Sequence, residues 1–336
     1  MELEWLDHWT ADCAARHVGL WLIEPTWFQE AVSQVKAGMW RPNTRAFNTS
    51  LGVVAEIGPP AGATTVKAPA PIEEAKADKP YFMDPTGMAV IPIDGQMMKG
   101  ESKYGGANTI AIRRKVRAAM RDQDVTGIML LVDSPGGTVA GTQDLAEDVA
   151  AANRVKPVFS HIEDLGASAA YWVMSQTRRI TATPTSEVGS IGTLAVVEDY
   201  SAVAEKKGIK VHVISTGPYK GAGVPGTPIT DEQLAYFRER VEAVNTHFLD
   251  AVSRGRNVSM GTVQEWADGR VWIADKARTM GLIDGVMLFD NAMLEARSIV
   301  EGQPPPAPKP QKRDKRSWIA ELENKISMAD KSAPRI

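Results

Sequence analysis

Cysteine is almost absent from the sequence, with Cys13 as the single cysteine among 336 residues. A disulfide requires two cysteines, and structural zinc sites require several cysteines or histidines at short spacings. The histidines are few and scattered along the chain: His8, His17, His161, His212 and His247. The sequence therefore predicts no disulfide framework and no metal site, and we expect no other cofactor.

An excess of charge of one sign is also missing. The chain has 38 Lys and Arg against 41 Asp and Glu, which gives a net charge of −3 at pH 7. Proteins that bind nucleic acid usually carry a basic surface, so this balance predicts no nucleic-acid partner. Hydrophobic residues make up 43% of the chain and charged residues 24%, as in ordinary soluble globular proteins.

Long apolar runs are missing as well. The most apolar stretch, residues 127–132, is far shorter than the roughly 20 residues that a membrane helix needs. Residues 1–17 begin with an acidic stretch and lack the apolar core of a signal peptide. We therefore expect a soluble, cytoplasmic protein without a membrane partner.

Two proline-rich stretches divide the chain into four predicted segments. Residues 1–56 hold five of the nine tryptophans. With a helix over residues 25–38, they predict a helical module that packs on the main domain or docks a partner. Residues 57–81 are rich in Pro and Ala, which predicts a linker. Residues 82–300 form the main domain, and residues 301–336 combine a Pro-rich basic linker with a short amphipathic helix.

Strand and helix patterns alternate along the main domain. Strands are predicted at 88–93, 126–133, 157–162, 179–182, 191–197 and 210–214. Helices are predicted at 108–121, 138–152, 167–176, 199–207 and 230–254, and residues 266–289 predict a strand, a short helix and a strand. This alternation predicts an α/β fold built on a parallel sheet.

A glycine-rich turn directly follows the most apolar strand. Residues 133–137 read Asp-Ser-Pro-Gly-Gly, and the two glycines can adopt φ values that are closed to other residues. Backbone N–H groups in such a turn can point at one spot, as an oxyanion hole requires. An ordinary turn between a strand and a helix is the alternative.

Ser168 lies between a predicted strand and a predicted helix, in the sequence Gly-Ala-Ser-Ala-Ala at 166–170. The small neighbours leave room for a substrate backbone, and the pattern is close to the nucleophile elbow Gly-x-Ser-x-Gly. The alternative is a serine that caps the N-terminus of an alanine-rich helix.

A serine nucleophile needs a base, and no histidine is placed persuasively. His161 and His212 both lie within predicted strands, where a structural role is expected. Lys220 lies in a glycine-rich loop, residues 216–223. An apolar pocket that fills with substrate favours the neutral amine that a base must have. A solvated surface lysine is the alternative.

The order of these motifs resembles the signal peptide peptidase A family of serine peptidases, over residues 88–289. The matching motifs are Ser-Pro-Gly-Gly at 134–137, Ala-Ser-Ala-Ala-Tyr at 167–171, Gly-Ser-Ile-Gly at 189–192, Gly-Pro-Tyr-Lys at 217–220 and a closing pair at 269–277 and 281–284. The separation of Ser168 from Lys220 also matches that family's spacing of nucleophile and base.

The resemblance implies a Clp-protease/crotonase-like fold, a spiral of β-β-α units with parallel sheets. It implies that Ser168 attacks the scissile carbonyl and that Lys220 takes its proton. Ser190 resembles the family serine that orients the lysine.

The resemblance also implies that the N–H groups of Gly137 and Ala169 form the oxyanion hole, with Gly136 shaping the turn. The sequence departs from the family at Ala169 and Ala170, where many members have glycines. A second departure is Pro218, close to the lysine, which we expect to affect how that loop moves.

The absent membrane helix and the flanking Pro-rich linkers resemble the head maturation proteases of tailed bacteriophages. This resemblance implies a polypeptide substrate such as a scaffold, capsid or portal protein, in the host cytoplasm or procapsid. The single copy of the serine and lysine motifs resembles the short members of the signal peptide peptidase A family, which implies a homo-oligomeric ring in which serine and lysine come from neighbouring subunits. A soluble bacterial peptidase, a crotonase-type acyl-CoA enzyme and a catalytically inactive shell component are the alternatives.

Overall fold

The computed structural model of the chain describes residues 21–23, 79–100 and 106–302, with the backbone alone for residues 21–23. Almost all of the predicted N-terminal module, the first linker and the C-terminal tail lie outside the described residues. Within the module, residues 21–23 form a strand, and the helix predicted for residues 25–38 falls outside.

The strands of the described residues, numbered along the chain, are β1 (Trp21–Ile23), β2 (Phe82–Met83), β3 (Met88–Asp94), β4 (Met97–Met98), β5 (Ala107–Asn108), β6 (Gly127–Ser134), β7 (Gly136–Thr138), β8 (Val158–Ala167), β9 (Arg179–Ala182), β10 (Glu187–Gly189), β11 (Val271–Ile273) and β12 (Gly285–Val286). The helices are α1 (Thr109–Arg121), α2 (Thr142–Val155), α3 (Ala169–Met174), α4 (Ser201–Lys206), α5 (Asp231–Arg256), α6 (Met260–Trp266), α7 (Ala274–Met280) and α8 (Phe289–Val300). None of these helices combines the length and the hydrophobicity that spanning a bilayer requires.

The large sheet has the strand order β11-β10-β8-β6-β3-β2, with β9 on β8 and β12 on β9. The pairs β3–β6, β6–β8, β8–β9, β8–β10 and β9–β12 are parallel, whereas β2–β3 and β10–β11 are antiparallel. The predicted α/β fold with a mostly parallel sheet is therefore confirmed.

A small sheet has the order β1-β7-β4-β5. Its strand β7 pairs parallel with β4 and antiparallel with β1. Along the chain, β3 and β6 of the large sheet are each followed by short strands of the small sheet and then by a helix. This order places β7 directly after β6, at the carboxyl end of the parallel strands.

Strand β6 is covered on both faces, which explains its unbroken apolar sequence. Ile128 and Leu130 belong to the main core together with α1 and α2. Met129 and Leu131 face the opposite way, into a second core formed with α8. Burial on both faces fixes the strand that leads into the glycine turn.

Before residue 190, two predicted boundaries differ from the structure by four residues or more. The helix predicted to begin at residue 138 begins at Thr142, because Gly136–Thr138 pairs as strand β7. The strand predicted to end at residue 162 runs to Ala167, where its last residues pair with β10.

Two predicted strands are wrong, those at 191–197 and 210–214, because neither segment forms a ladder in the structure. Their alternating apolar pattern is typical of a strand, but a strand also needs a neighbouring backbone to pair with. Residues 210–214 find no such neighbour among the described residues, and Ile214 is 98% exposed.

Candidate active site

Ser168 lies at the sharp junction between β8 and α3. Its φ is +54° and its ψ is −117°, values that a residue with a side chain rarely adopts. A capping serine would have an extended backbone and a side chain bonded to the helix, and Ser168 makes no such bond. The geometry therefore favours the elbow over the capping alternative.

The Ser168 side chain is fully buried, and its Oγ has no hydrogen-bond partner among the described residues. An unpaired buried hydroxyl costs about 1–3 kcal/mol, and backbone strain of this kind is concentrated at functional sites. Both features reduce stability, so they are expected of a serine that acts on a substrate and not of one that stabilises the fold.

The motif at 189–192 lies against Ser168. The backbone N–H of Ser168 donates to the carbonyl oxygen of Gly189 at 2.8 Å. Gly189 has a φ of +135°, and a Cβ there would lie 2.6 Å from the carbonyl oxygen of Arg270. Ser190 is buried with a φ of +49°, and its N–H donates to that same Arg270 oxygen at 2.7 Å. The structure thus brings Ser168 and Ser190 together.

The glycine turn has the backbone geometry that its sequence predicts. Gly136 has a φ of +94°, and a Cβ on Gly137 would lie only 1.9 Å from the carbonyl oxygen of Met97. A side chain at Gly137 would therefore push β7 away from β4, and one at Gly136 would be strained by the positive φ. The turn is near Ser168, because helix α3 packs directly on β7.

Sequence reasoning missed the role of Ser134, the first residue of the motif at 134–137. Its buried Oγ donates to the carbonyl oxygen of Gly95 at 2.6 Å and accepts the N–H of Gly136 at 3.2 Å. Ser134 therefore ties the turn to the end of β3. Its position at the end of a buried strand was the signal in the sequence.

The closing motif supports the helix that follows Ser168. The buried Tyr171 hydroxyl on α3 donates to the carbonyl oxygen of Leu282 at 2.7 Å, and burial raises the pKa of that phenol. Arg256 at the end of α5 donates to both carboxylate oxygens of Asp284, at 2.7 and 2.9 Å. The second half of the closing motif, residues 281–284, thus has a structural role: it bonds to α3 through Leu282 and to the end of α5 through Asp284.

Lys220 is exposed, in a turn where its backbone N–H lies 3.3 Å from the carbonyl oxygen of Gly217. Since the Oγ of Ser168 has no hydrogen-bond partner, Lys220 does not contact it within one chain. In residues 192–247, all of which the structure describes, Ala204 is the only buried residue. The structure therefore does not bring nucleophile and predicted base together in a single chain.

The comparisons with known proteins agree with this geometry. Residues 150–301 match the sequence profile of peptidase family S49. The chain contains a peptidase S49 domain of the signal peptide peptidase A family. The resemblance predicted from the motifs is confirmed. The matched part of the S49 domain includes Ser168, Ser190 and Lys220, and the glycine turn lies before it.

Three relatives show how far the similarity extends. A protein of Methanocaldococcus jannaschii that is named as a protease is 34% identical over 173 residues, 52% of this chain and 56% of the relative. Protease 4 of Haemophilus influenzae is 28% identical over 221 residues, 66% of this chain and 36% of the relative. Capsid assembly protease C of Escherichia phage lambda is 28% identical over 221 residues, 65% of this chain and 50% of the relative. The chain thus spans from about a third to just over half of the length of these relatives.

A group of carboxylates, which sequence reasoning did not single out, lies beside the glycine turn. Burial, together with the neighbouring Asp164 and Asp94, raises the pKa of Asp133 to about 6. Burial raises the pKa of Asp94 as well. The Oδ1 of Asp133 accepts the backbone N–H of Leu165 at 3.2 Å, so Asp133 links β6 to β8 just before Ser168.

His161 of the S49 domain has the structural environment that the sequence predicted. Its ring is fully buried, with Nδ1 2.9 Å from the Oγ1 of Thr181 and Nε2 3.4 Å from the Oγ1 of Thr183. Burial lowers the pKa of His161 to about 4, so the ring stays neutral at pH 7. Among the described residues, no group of three or more His, Cys, Asp or Glu is placed to hold a metal ion.

Proposed function

We propose that this chain is a serine endopeptidase in which Ser168 is the nucleophile. The observation that carries the proposal is the buried, unpaired Oγ of Ser168 on a backbone of positive φ, beside a turn that only glycines can form. The S49 profile and the protease names of the relatives support the same activity.

The oxyanion hole consists of the backbone N–H groups of Gly137 and Ala169, with Gly136 setting the direction of the turn. Such donors stabilise the charge that develops on the carbonyl oxygen in the transition state. The tie from Ser134 to Gly95 holds the turn in place before substrate arrives, so little reorganisation is needed during the reaction.

Lys220 is the general base. As the Oγ of Ser168 bonds to the scissile carbonyl carbon, its proton passes to the neutral Lys220 amine. The resulting ammonium then protonates the leaving amine, and an ester between Ser168 and the substrate remains. Lys220 next takes a proton from water as that water attacks the ester, and returns this proton to the Ser168 oxygen as the ester bond breaks and the carboxylic acid product leaves. Ser190 orients the lysine.

Lys220 reaches Ser168 from a second copy of the chain. Residues 192–247, the Lys220 segment, expose many apolar side chains, including Ile209, Val213 and Ile214. A soluble protein rarely leaves such a surface uncovered. Helix α5 buries side chains against the body only from Phe248 onward, so its first half is free to pack on a neighbour. This contact is head-to-tail and closes into a homo-oligomeric ring.

The fold is a Clp-protease/crotonase-like spiral of β-β-α units. The repeated order of a strand in the large sheet, short strands in the small sheet and a helix supports this architecture. In such a spiral each turn adds one strand to each sheet, which is how β7 comes to lie beside the carboxyl ends of β6 and β8.

The biological role that we propose is head maturation in a tailed bacteriophage, with scaffold, capsid or portal precursors as substrates in the procapsid or host cytoplasm. The alignment with capsid assembly protease C supports this role. Degradation of peptides by a bacterial enzyme is the second candidate, supported by a similarly long alignment with Protease 4. The genes on either side of this one separate the two roles, because only the first role predicts neighbouring capsid and scaffold genes whose co-expressed products are specifically cleaved.

A fluorophosphonate probe tests the nucleophile directly. We expect a covalent adduct on Ser168, located by mass spectrometry of the digested protein and lost in Ser168→Ala. The matched control is Ser201→Ala, at the first, half-buried residue of α4, which should label like the wild type. An acyl-CoA enzyme or an inactive shell component would give no Ser168 adduct, and that result would reject the proposal.

A further inference from the structure

Strand β1 lies on the strand that carries the glycine turn. It pairs antiparallel with β7, with Leu22 opposite Gly137 and Ile23 opposite Gly136. The other edge of β7 pairs with β4. Strand β1 is therefore an edge strand of the small sheet, and it lies directly beside Gly137 of the proposed oxyanion hole and beside Gly136.

The outer edge of β7 is where the backbone of a peptide substrate would have to lie. A scissile carbonyl that reaches both Ser168 and the N–H of Gly137 must run alongside β7, and extended peptides commonly bind by adding a strand to a sheet edge. Each edge of a strand pairs with one neighbour. Because β4 and β1 fill both edges, a substrate strand can pair with β7 only after one of them leaves.

We infer that residues Trp21–Ile23 occupy the substrate-binding edge of β7 and that the N-terminal segment is an intramolecular competitor of the substrate. The site takes an extended peptide, and in the resting chain that peptide is the protein's own backbone. The competition with substrate rests on the proposed function of Ser168, whereas the occupancy of the edge does not.

Strand β1 is the neighbour that is free to leave. Met97 of β4 is fully buried in the core, and β4 follows β3 after two residues. Strand β1 has three residues and is joined to β2 through residues 24–81. A strand this short forms few hydrogen bonds, while its tether keeps it at an effective concentration of about 1 mM or below. It can therefore yield to substrate without disturbing the core.

The test uses the full chain with Ser168→Ala, so that no peptide is cleaved. Leu22→Pro removes a backbone N–H and blocks the pairing of β1, whereas the matched control Leu22→Ala keeps that N–H. The probe is a fluorescent synthetic peptide of residues 17–27, and binding is followed by fluorescence anisotropy. We expect at least about tenfold tighter binding to the Leu22→Pro protein, because its edge is empty.

Two binding results would overturn the inference. One is equal affinity of the probe for the proline and alanine proteins. The other is no binding to either protein at about 1 mM probe, because a tethered strand that weak would not occupy the edge. A probe that itself carries the Leu22→Pro change should not bind.

The active protein then tests whether this edge is the substrate edge. With Ser168 intact, Leu22→Pro should lower KM for a small peptide substrate about tenfold relative to Leu22→Ala and leave kcat unchanged. If the Leu22→Pro protein binds the probe more tightly but has the same KM as the Leu22→Ala protein, strand β1 does not compete with the substrate. If none of these proteins cleaves any peptide, the proposed function fails, while the binding result still decides the occupancy.

A second variant guards against misfolding of the proline protein, which a thermal unfolding scan would reveal. A recognition site for a specific protease is inserted within residues 58–78 of the Ser168→Ala chain, which is cut after folding. Removal of the N-terminal fragment by size-exclusion chromatography should reproduce the tighter probe binding. Unchanged binding after removal would also count against the inference.

Discussion

The backbone N–H of Ser168 donates to the carbonyl oxygen of Gly189, with an N···O distance of 2.8 Å. This bond joins the ends of two parallel strands, β8 and β10, and it places Ser190 beside the proposed nucleophile. Ser168 and Ser190 both have positive φ, so each strand end turns sharply at its serine. Paired strand ends of this kind hold a strained backbone at a cost of about 1–3 kcal/mol per residue.

Mixing inactive subunits tests whether the dyad is shared. Ser168→Ala and Lys220→Ala proteins, each inactive alone, should regain activity when they are co-assembled. Random assembly pairs an intact serine with an intact lysine at about a quarter of the interfaces, so about a quarter of wild-type activity is expected in a peptide-cleavage assay. Mixing Ser168→Ala with a protein that carries both substitutions is the control and should stay inactive. If the mixture of Ser168→Ala and Lys220→Ala proteins stays inactive although native mass spectrometry shows that subunits have exchanged, the shared dyad is contradicted.

Substitution of the base by arginine should abolish peptidase activity. Lys220→Arg keeps the charge but cannot become neutral near pH 7, so it cannot accept the serine proton. Lys210→Arg, in the same exposed segment, is the matched control and should keep wild-type kcat. A Lys220→Arg enzyme with normal turnover would show that another group is the base.

Ser134→Ala should reduce kcat by about tenfold or more while KM changes little, because the glycine turn loses its hydrogen bond to the carbonyl oxygen of Gly95. The free energy of unfolding should fall by about 1–3 kcal/mol, since a buried carbonyl oxygen loses its partner. Ser175→Ala also removes a buried serine hydrogen bond, to the carbonyl oxygen of Trp172, and controls for lost stability. Equal losses of kcat in the two variants would mean that Ser134 has no special effect on the turn.

Asp133→Asn should stabilise the protein at pH 8 and lose that advantage by about pH 4. The pKa of Asp133 is raised to about 6 by burial and by two neighbouring carboxylates, so the native state binds this proton more tightly than the unfolded chain does. Wild-type stability therefore falls as pH rises through about 6. The asparagine has no proton to lose, and its amide oxygen still accepts the Leu165 N–H.

Urea unfolding at pH 4, 6 and 8 measures this effect. The control is Glu205→Gln, an exposed carboxylate on α4, which should follow the wild-type pH dependence. A stability difference between Asp133→Asn and wild type that is the same at all three pH values would contradict the raised pKa.

Much of the large sheet could be predicted from the sequence, because burial leaves a direct pattern. A strand covered on both faces must be apolar throughout, and residues 127–132 are. The motif at 134–137 could be placed at a strand end for the same reason, since it directly follows that run. The motif at 166–170 follows a strand that contains polar residues, and only the alternation of strand and helix patterns placed it between the two.

Pairing between distant segments was decided by the tertiary structure. The pattern at 210–214 is typical of a strand, yet the segment stays unpaired. Alternating apolar and polar residues determine which face each side chain would take, but they do not supply a neighbouring backbone for hydrogen bonds. Conversely, nothing in residues 21–23 predicts that they lie on β7.

By itself, the sequence determined which residues we propose to carry the chemistry and in what order, since short motifs with particular residue types single out Ser168 and Lys220. The tertiary structure decided what surrounds them. Ser168 is strained, buried and unpaired because β8, β10 and α3 meet there, and Lys220 is exposed because its segment has no core within one chain. Local sequence limits the conformations of a residue, whereas its burial and its partners depend on segments that only folding brings together.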